Sequence, residues 1–149
     1  MNIGDKKEFR GYVTKEKFVA GRDLRSLEQI LGFHAGRFSS GIWVARLDRL
    51  PQLTEFDVAG YSMTAQHHFQ RPANLDIERI KAAARGSWSL QGGDRLVKMI
   101  PVSAHDDALA PDFQYPPGLG APQWRLTSPV PGTVVAHIRS YPAGICRLP

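Results

Sequence analysis

The chain has 149 residues and a mass of 16.5 kDa, a length that fits one domain able to bury a hydrophobic core without disulfides or metals. Apolar residues make up 42% of it, and no apolar run approaches the roughly 20 residues of a membrane-spanning helix, so the composition excludes such a helix. Nineteen Lys and Arg residues against 14 acidic residues give a formal charge of +5, which favours polyanionic ligands, although the scattered charges equally fit an ordinary basic surface.

The first predicted elements are a strand and a helix. Residues 1–8 lack the apolar stretch of a secretory signal and are expected to form a flexible lead. The β-formers in 9–18 indicate an opening strand followed by a turn. Leucines at helical spacing predict a helix over 24–31, with Asp23 as its N-cap and Gly32 as its left-handed terminator.

A glycine-rich loop and a second strand follow. Residues 32–41 contain three glycines and two serines, which predicts a loop whose backbone can approach a ligand closely. Residues 42–47 alternate in the manner of a half-buried strand. The capping-like spacing of Thr54 and Asp57 predicts a short helical turn within 51–60.

The second half of the chain predicts one helix and two strands. Asn74 can cap a helix over 74–85, which has acids in its first turn and bases in its last. Strands are predicted at 95–100 and, after a Pro-Gly turn, at 133–139, with 101–122 wrapping the surface between them. Together these elements indicate a single compact α+β domain spanning 1–149.

Two kinds of reactive residue, cysteine and histidine, bear on function. The lone Cys146 excludes an internal disulfide framework and, beside the C-terminus, is a poor nucleophile. No histidine pair has the spacing of a zinc helix, so no metal site is expected. His67 and His68, with Arg71 nearby, could serve a metal-independent ribonuclease, although adjacent strand histidines more simply point one inward and one outward.

Five short segments carry a family resemblance. Phe9-Arg10-Gly11, a helix ending in Ile30-Leu31-Gly32-Phe33, and a Gly/Ser loop entering Gly41-Ile42-Trp43-Val44 resemble the opening half of ADP-ribosyltransferase-fold bacterial toxins. Gln123-Trp124-Arg125-Leu126 and Pro131-Gly132-Thr133-Val134-Val135 resemble the closing pair of strands in that family. The resemblance implies short helices packed on a split, mostly antiparallel sheet.

The resemblance also implies an activity. Gln123 stands where transferases of this family have a catalytic Glu, which resembles the NAD glycohydrolases of the tuberculosis-necrotizing-toxin type and favours hydrolysis of NAD over ADP-ribosyl transfer. Catalysis is then expected from Gln123 and Arg10, which must line one cleft. NAD, as substrate, is expected to contact Arg10, Gly11, Arg37, Phe38, Ser39, Ser40 and Trp43.

The same resemblance implies a biological setting. A toxin or effector domain of this kind is bacterial, and is either cytoplasmic or exported without a cleavable signal peptide. Its expected partners are a neutralising immunity protein or a delivery protein. The alternatives to NAD cleavage are the ribonuclease and a non-enzymatic adaptor or immunity-type protein that uses its basic surface to bind an acidic partner.

Overall fold

Five strands and two short α-helices make up the described part of the chain, which covers residues 1–33, 35–61, 90–103 and 121–149 of the computed structural model. No helix in these ranges is long and apolar enough to cross a membrane. In chain order the elements are β1 (Lys6–Lys15), α1 (Glu16–Val19), α2 (Leu24–Leu31), β2 (Ile42–Leu47), a 3-10 turn (Leu53–Glu55), β3 (Phe56–Tyr61), β4 (Leu96–Pro101) and β5 (Pro122–Ile138).

Four of the strands close into a barrel. The sheet order is β1-β4-β2-β5-β3, all the pairings are antiparallel, and β1 also pairs with β5. The 17-residue β5 makes this closure possible, because it pairs with β1 from Trp124 to Thr133 and with β2 from Gly132 to Ile138. The predicted mixture of short helices and antiparallel strands is confirmed, but the described strands form one closed sheet and not a split one.

The length of β5 corrects one prediction from the sequence. Pro131 and Gly132 were expected to form a turn before a strand at 133–139, yet both lie inside β5 and pair with β1. A Cβ atom on Gly132 would lie 2.7 Å from the ring of Phe9, so glycine is needed here for close packing and not for a turn. The Pro-Gly pair was therefore a misleading turn signal.

The N-terminal end of β1 also differs from the prediction. Residues 6–8, which were expected to belong to the lead, are paired with β5 in the sheet. The C-terminal end agrees with the strand and turn predicted within 9–18, because β1 ends at Lys15 and the single turn of α1 follows. Strand pairing with β5 extends β1 toward the N-terminus, and no local signal in the sequence indicates this partner.

The elements around the Gly/Ser loop follow their predicted bounds. In α2 the Asp23 side chain accepts a hydrogen bond from the Ser26 amide at 2.7 Å, and Gly32 ends the helix at φ 76°. β2 has the predicted bounds, and β4 is shifted by one residue from the predicted 95–100. Local capping and alternation therefore predict this part of the fold well.

The remaining predictions between β2 and β5 have mixed outcomes. The helical turn expected within 51–60 is the short 3-10 turn before β3, and Gln52 and Glu55 form its capping box in place of Thr54 and Asp57. The helix predicted over 74–85 lies outside the described residues, as does most of 101–122.

Two hydrophobic cores lie on opposite faces of the sheet. One fills the barrel and is built around the fully buried Trp124. The other packs the apolar face of α2, including Leu24 and Leu27, against Val97 and Met99 of β4. The C-terminal end of α2 is thereby fixed beside β1, β4 and the start of β5.

Candidate functional site

Two of the five segments that carried the family resemblance, those around Gly11 and Leu126, lie side by side. Gly11 pairs with Leu126 and Tyr12 with Arg125 in the β1–β5 ladder. The ladder ends at the pair Val13–Trp124, one residue before Gln123, which pairs with Gly60 of β3. Next to this end of the ladder the Thr14 hydroxyl donates to the Pro122 carbonyl at 2.8 Å. The backbones of these two distant segments are therefore adjacent.

A cavity of about 220 Å³ opens next to them. β1 and β4 pair only at Thr14–Val97 and Lys15–Leu96, and the cavity lies where the two strands separate beyond these pairs. The end of α2 and the Gly/Ser loop supply the rest of its wall. Its lining residues are Tyr12, Val13, Thr14, Leu31, Phe33, Arg37, Val97, Lys98, Met99, Ile100, Pro101 and Gln123.

Gln123 is held rigidly in the cavity wall. Only 6% of its surface is exposed, and its Nε2 donates to the Leu31 carbonyl at 3.2 Å. This carbonyl is one of those at the end of α2 that have no partner within the helix. Gln123 therefore joins β5 to α2 while its carboxamide lines the cavity.

Arg37 reaches the same cavity from the Gly/Ser loop, and its Nη1 donates to the Ser103 carbonyl. The loop is fixed by Glu28, a carboxylate that is only 1% exposed. Its Oε2 accepts from the Phe38 amide at 2.9 Å and its Oε1 from the Tyr141 hydroxyl at 3.2 Å. The sequence analysis missed this anchoring role of Glu28. The available signal was a Glu on the apolar face of an amphipathic helix.

Lys98 is a further cavity residue that the sequence analysis missed. It is half-buried, and burial lowers the pKa of its ammonium group. No hydrogen-bond or ion-pair partner reaches it from the described residues. Its Nζ lies 3.1 Å from the position that a Cβ on Gly11 would occupy, and Gly11 itself has φ +81°. The sequence signal for this residue was a lysine in the middle of the otherwise apolar strand β4.

The two aromatic residues that were expected to contact NAD are already engaged elsewhere. Phe38 is fully buried in the core beside α2, and its ring packs against Phe33 with centroids 4.8 Å apart. Trp43 stacks on His137 of β5 at 3.8 Å. Neither residue lines the cavity, whereas the half-buried Phe33 does.

The other predicted ligand contacts divide between surface and cavity. Arg10, Ser39 and Ser40 are exposed and do not line the cavity. Arg10 and Gln123 therefore do not share one enclosed cleft, although their strands are neighbours. Of the predicted set, the structure brings Gln123 and Arg37 together and places Gly11 against the cavity residue Lys98.

The other candidate groups for chemistry are not at this site. Cys146 is fully buried, and burial raises the pKa of its thiol to about 11, so it is not a nucleophile at neutral pH. His67 and His68 of the ribonuclease hypothesis lie outside the described residues. Within the ranges that the structure describes, no group of three His, Cys, Asp or Glu residues is placed to hold a metal ion.

Comparison of the chain with known protein families, with curated proteins and with solved structures found no match. The cavity combines a fixed carboxamide, two cationic side chains and an apolar wall. This combination suits a small ligand with a flat apolar part and a polar or anionic part.

Proposed function

We propose that this domain cleaves NAD at the nicotinamide–ribose bond, with the nicotinamide end bound in the cavity beside Gln123. The observation that supports this most is that Gln123 and Arg37, two residues singled out by the resemblance, line the same cavity. Phe33 adds an aromatic wall to it, in place of Phe38 and Trp43, the aromatic residues that were expected to contact NAD.

The size of the cavity is compatible with one ring of the substrate. A protein cavity of about 150 Å³ can bind benzene, and the cavity here measures about 220 Å³. A nicotinamide ring therefore fits, whereas the whole dinucleotide does not. On this proposal the diphosphate lies at the mouth, where the guanidinium of Arg37 provides a charge-assisted contact.

Cleavage of the nicotinamide–ribose bond depends more on correct positioning of the ribose and the attacking water than on strong acid–base catalysis. When the bond between C1′ and the ring nitrogen breaks, its electron pair leaves with the ring, which thereby loses its positive charge. Water then supplies the new oxygen at C1′ and releases one proton. A carboxamide held as rigidly as that of Gln123 can orient a ribose hydroxyl or this water.

The likeness to ADP-ribosyltransferase-fold toxins belongs to this proposal. It rests on the paired segments around Gly11 and Gln123 and not on the closed sheet. The departure of Gln123 from the usual Glu favours hydrolysis over ADP-ribosyl transfer. A bacterial toxin of this type works with an immunity or delivery protein, and such partners are part of the same proposal.

The test is release of nicotinamide from NAD by the purified chain. We expect release by the wild type and a drop of about a hundredfold in Gln123→Ala, the scale seen when one positioned polar group is removed from an active site. The exposed Gln91 gives the matched control, and Gln91→Ala should release nicotinamide at the wild-type rate.

The hydrogen bond from Gln123 to Leu31 also supports the fold, so circular dichroism must show that Gln123→Ala is folded. Phe33→Leu provides a second variant that leaves this bond intact, and its KM for NAD should rise. No release by the wild type, or equal rates in the wild type and a folded Gln123→Ala, would refute the proposed activity.

A further inference from the structure

Among the described residues, the Lys98 ammonium has no counter-charge. It is half-buried, and among the described residues no carboxylate or hydrogen-bond acceptor reaches it. A cation taken out of water without a partner costs free energy. Proteins retain such groups where a ligand supplies the missing partner, and perturbed ionisable groups in cavities therefore mark functional sites.

The described lining of the cavity around Lys98 is cationic and otherwise largely apolar. None of the described residues that line it is an Asp or a Glu, and Arg37 is the second cationic side chain in the wall. Phe33, Leu31 and Met99 give the wall its apolar area. An anion with an attached apolar ring matches both properties at once.

We infer that the cavity binds a small monocyclic carboxylate, with the carboxylate on the Lys98 ammonium and the ring against Phe33 and its apolar neighbours. The volume decides the size of this ligand, because a cavity of about 150 Å³ accepts benzene and the 220 Å³ found here leaves room for one substituent of carboxylate size. The inference concerns the same cavity as the proposed NAD cleavage but does not depend on that activity. The two ligands compete for the cavity, because Lys98 favours an anion over the positively charged ring of NAD.

Gly11 positions the amine. Its φ of +81° lies in the left-handed region, and Lys98 Nζ comes within 3.1 Å of where a side chain would begin. The absence of a side chain lets the ammonium lie against the backbone of β1 at the cavity wall. Gly11 is thus a positioning residue for the anion site.

The test compares two probes that differ by one charge. Isothermal titration calorimetry near neutral pH should show that benzoate binds the wild type at least about tenfold more tightly than benzamide, its neutral counterpart, as expected for a charge-assisted hydrogen bond. Lys98→Met should abolish this preference. The exposed Lys7 supplies the control, and Lys7→Met should keep the preference unchanged.

Other outcomes would overturn the inference. Equal binding of benzoate and benzamide would show that no anion site exists, as would an unchanged preference in Lys98→Met. Inorganic phosphate binding as tightly as benzoate would contradict the role of the apolar wall. Since Lys98→Met replaces a buried charge by an apolar chain of similar length, the variant is expected to fold, and its thermal transition checks this.

Discussion

Lys15 and Lys98 lie on the neighbouring strands β1 and β4, yet their surroundings are opposite. Where the strands pair, Lys15 is 3% exposed and its Nζ lies 3.1 Å from Asp94, with the Trp124 ring 5.7 Å away. Where the strands separate, Lys98 faces a cavity and meets no acid among the described residues. The paired region neutralises its buried cation internally, whereas the open region leaves its cation for a ligand.

The ionisation of Asp94 supports this distinction. Burial alone raises the pKa of this carboxyl, but the Gln91 amide at 2.7 Å and the Lys15 ammonium outweigh burial and lower it below its ordinary value. The Asp94 carboxyl is therefore ionised near neutral pH. For Lys98 burial acts alone and lowers the pKa of the ammonium.

The largest effect is expected from Asp94→Asn. The change leaves Lys15 buried beside a neutral amide, and breaking a buried pair in this way costs about 2 to 3 kcal/mol of unfolding free energy when one partner is partly solvated. Urea denaturation followed by tryptophan fluorescence measures the loss.

The double variant Lys15→Met with Asp94→Asn is the control, because it removes the buried charge together with its partner and should recover most of the loss. The pH dependence gives a second check. The folded pKa of Asp94 is lowered, so its contribution is present above the ordinary value of 3.8 and is lost as the pH falls through the folded pKa. Asp94→Asn should lack this acid-induced loss.

Gly11→Ala tests the geometry of the open region. Placing a side chain at φ +81° costs about 1 kcal/mol, and the new methyl group must also displace the Lys98 ammonium. Gly21 has nearly the same φ, +82°, but nothing lies within 4 Å of its would-be Cβ. Gly21→Ala should therefore match the stability loss while keeping the benzoate preference, which only Gly11→Ala should weaken. Equal benzoate preference in the two variants would show that Gly11 does not position Lys98.

Lys98→Met is expected to stabilise the protein by about 1 kcal/mol, because it removes a desolvated charge that has no partner in the described structure. In the wild type the unfolded chain holds this proton up to a pH near 10.5, while the folded chain releases it earlier. Stability should therefore rise with pH through that window, and the variant should lack the rise. Urea midpoints at two pH values measure both effects. A destabilised variant would mean that Lys98 has a structural role.

The contrast between local and distant signals explains what the sequence could predict. Asp23, Gly32 and the leucine spacing between them depend on neighbours within one or two turns, and the helix bounds follow. The long β5 depends on partners more than a hundred residues earlier in the chain, so Pro131 and Gly132 were misinterpreted as a turn.

The candidate site shows the same division. Gln123 and Arg37 were predicted because a resemblance in sequence pointed to them. Lys98 and Glu28 were missed because their importance comes from burial, which a single sequence does not record for a charged residue. Phe38 does not line the cavity for a related reason, since tertiary packing places its ring fully inside the core.

The smallest effect on stability is expected at the surface pair Arg49–Glu55. Hydrogen bonds lower the pKa of the Glu55 carboxyl to about 2. The bond from the Arg49 guanidinium has the larger effect, and the bond from the Gln52 amide has the smaller one. Arg49→Gln should raise this pKa measurably in an NMR titration, yet leave it below the ordinary 4.5 because the Gln52 amide remains. The urea midpoint near neutral pH should hardly move, since water screens surface pairs. A shift in that midpoint as large as the one for Asp94→Asn would contradict the view that burial separates the two ion pairs.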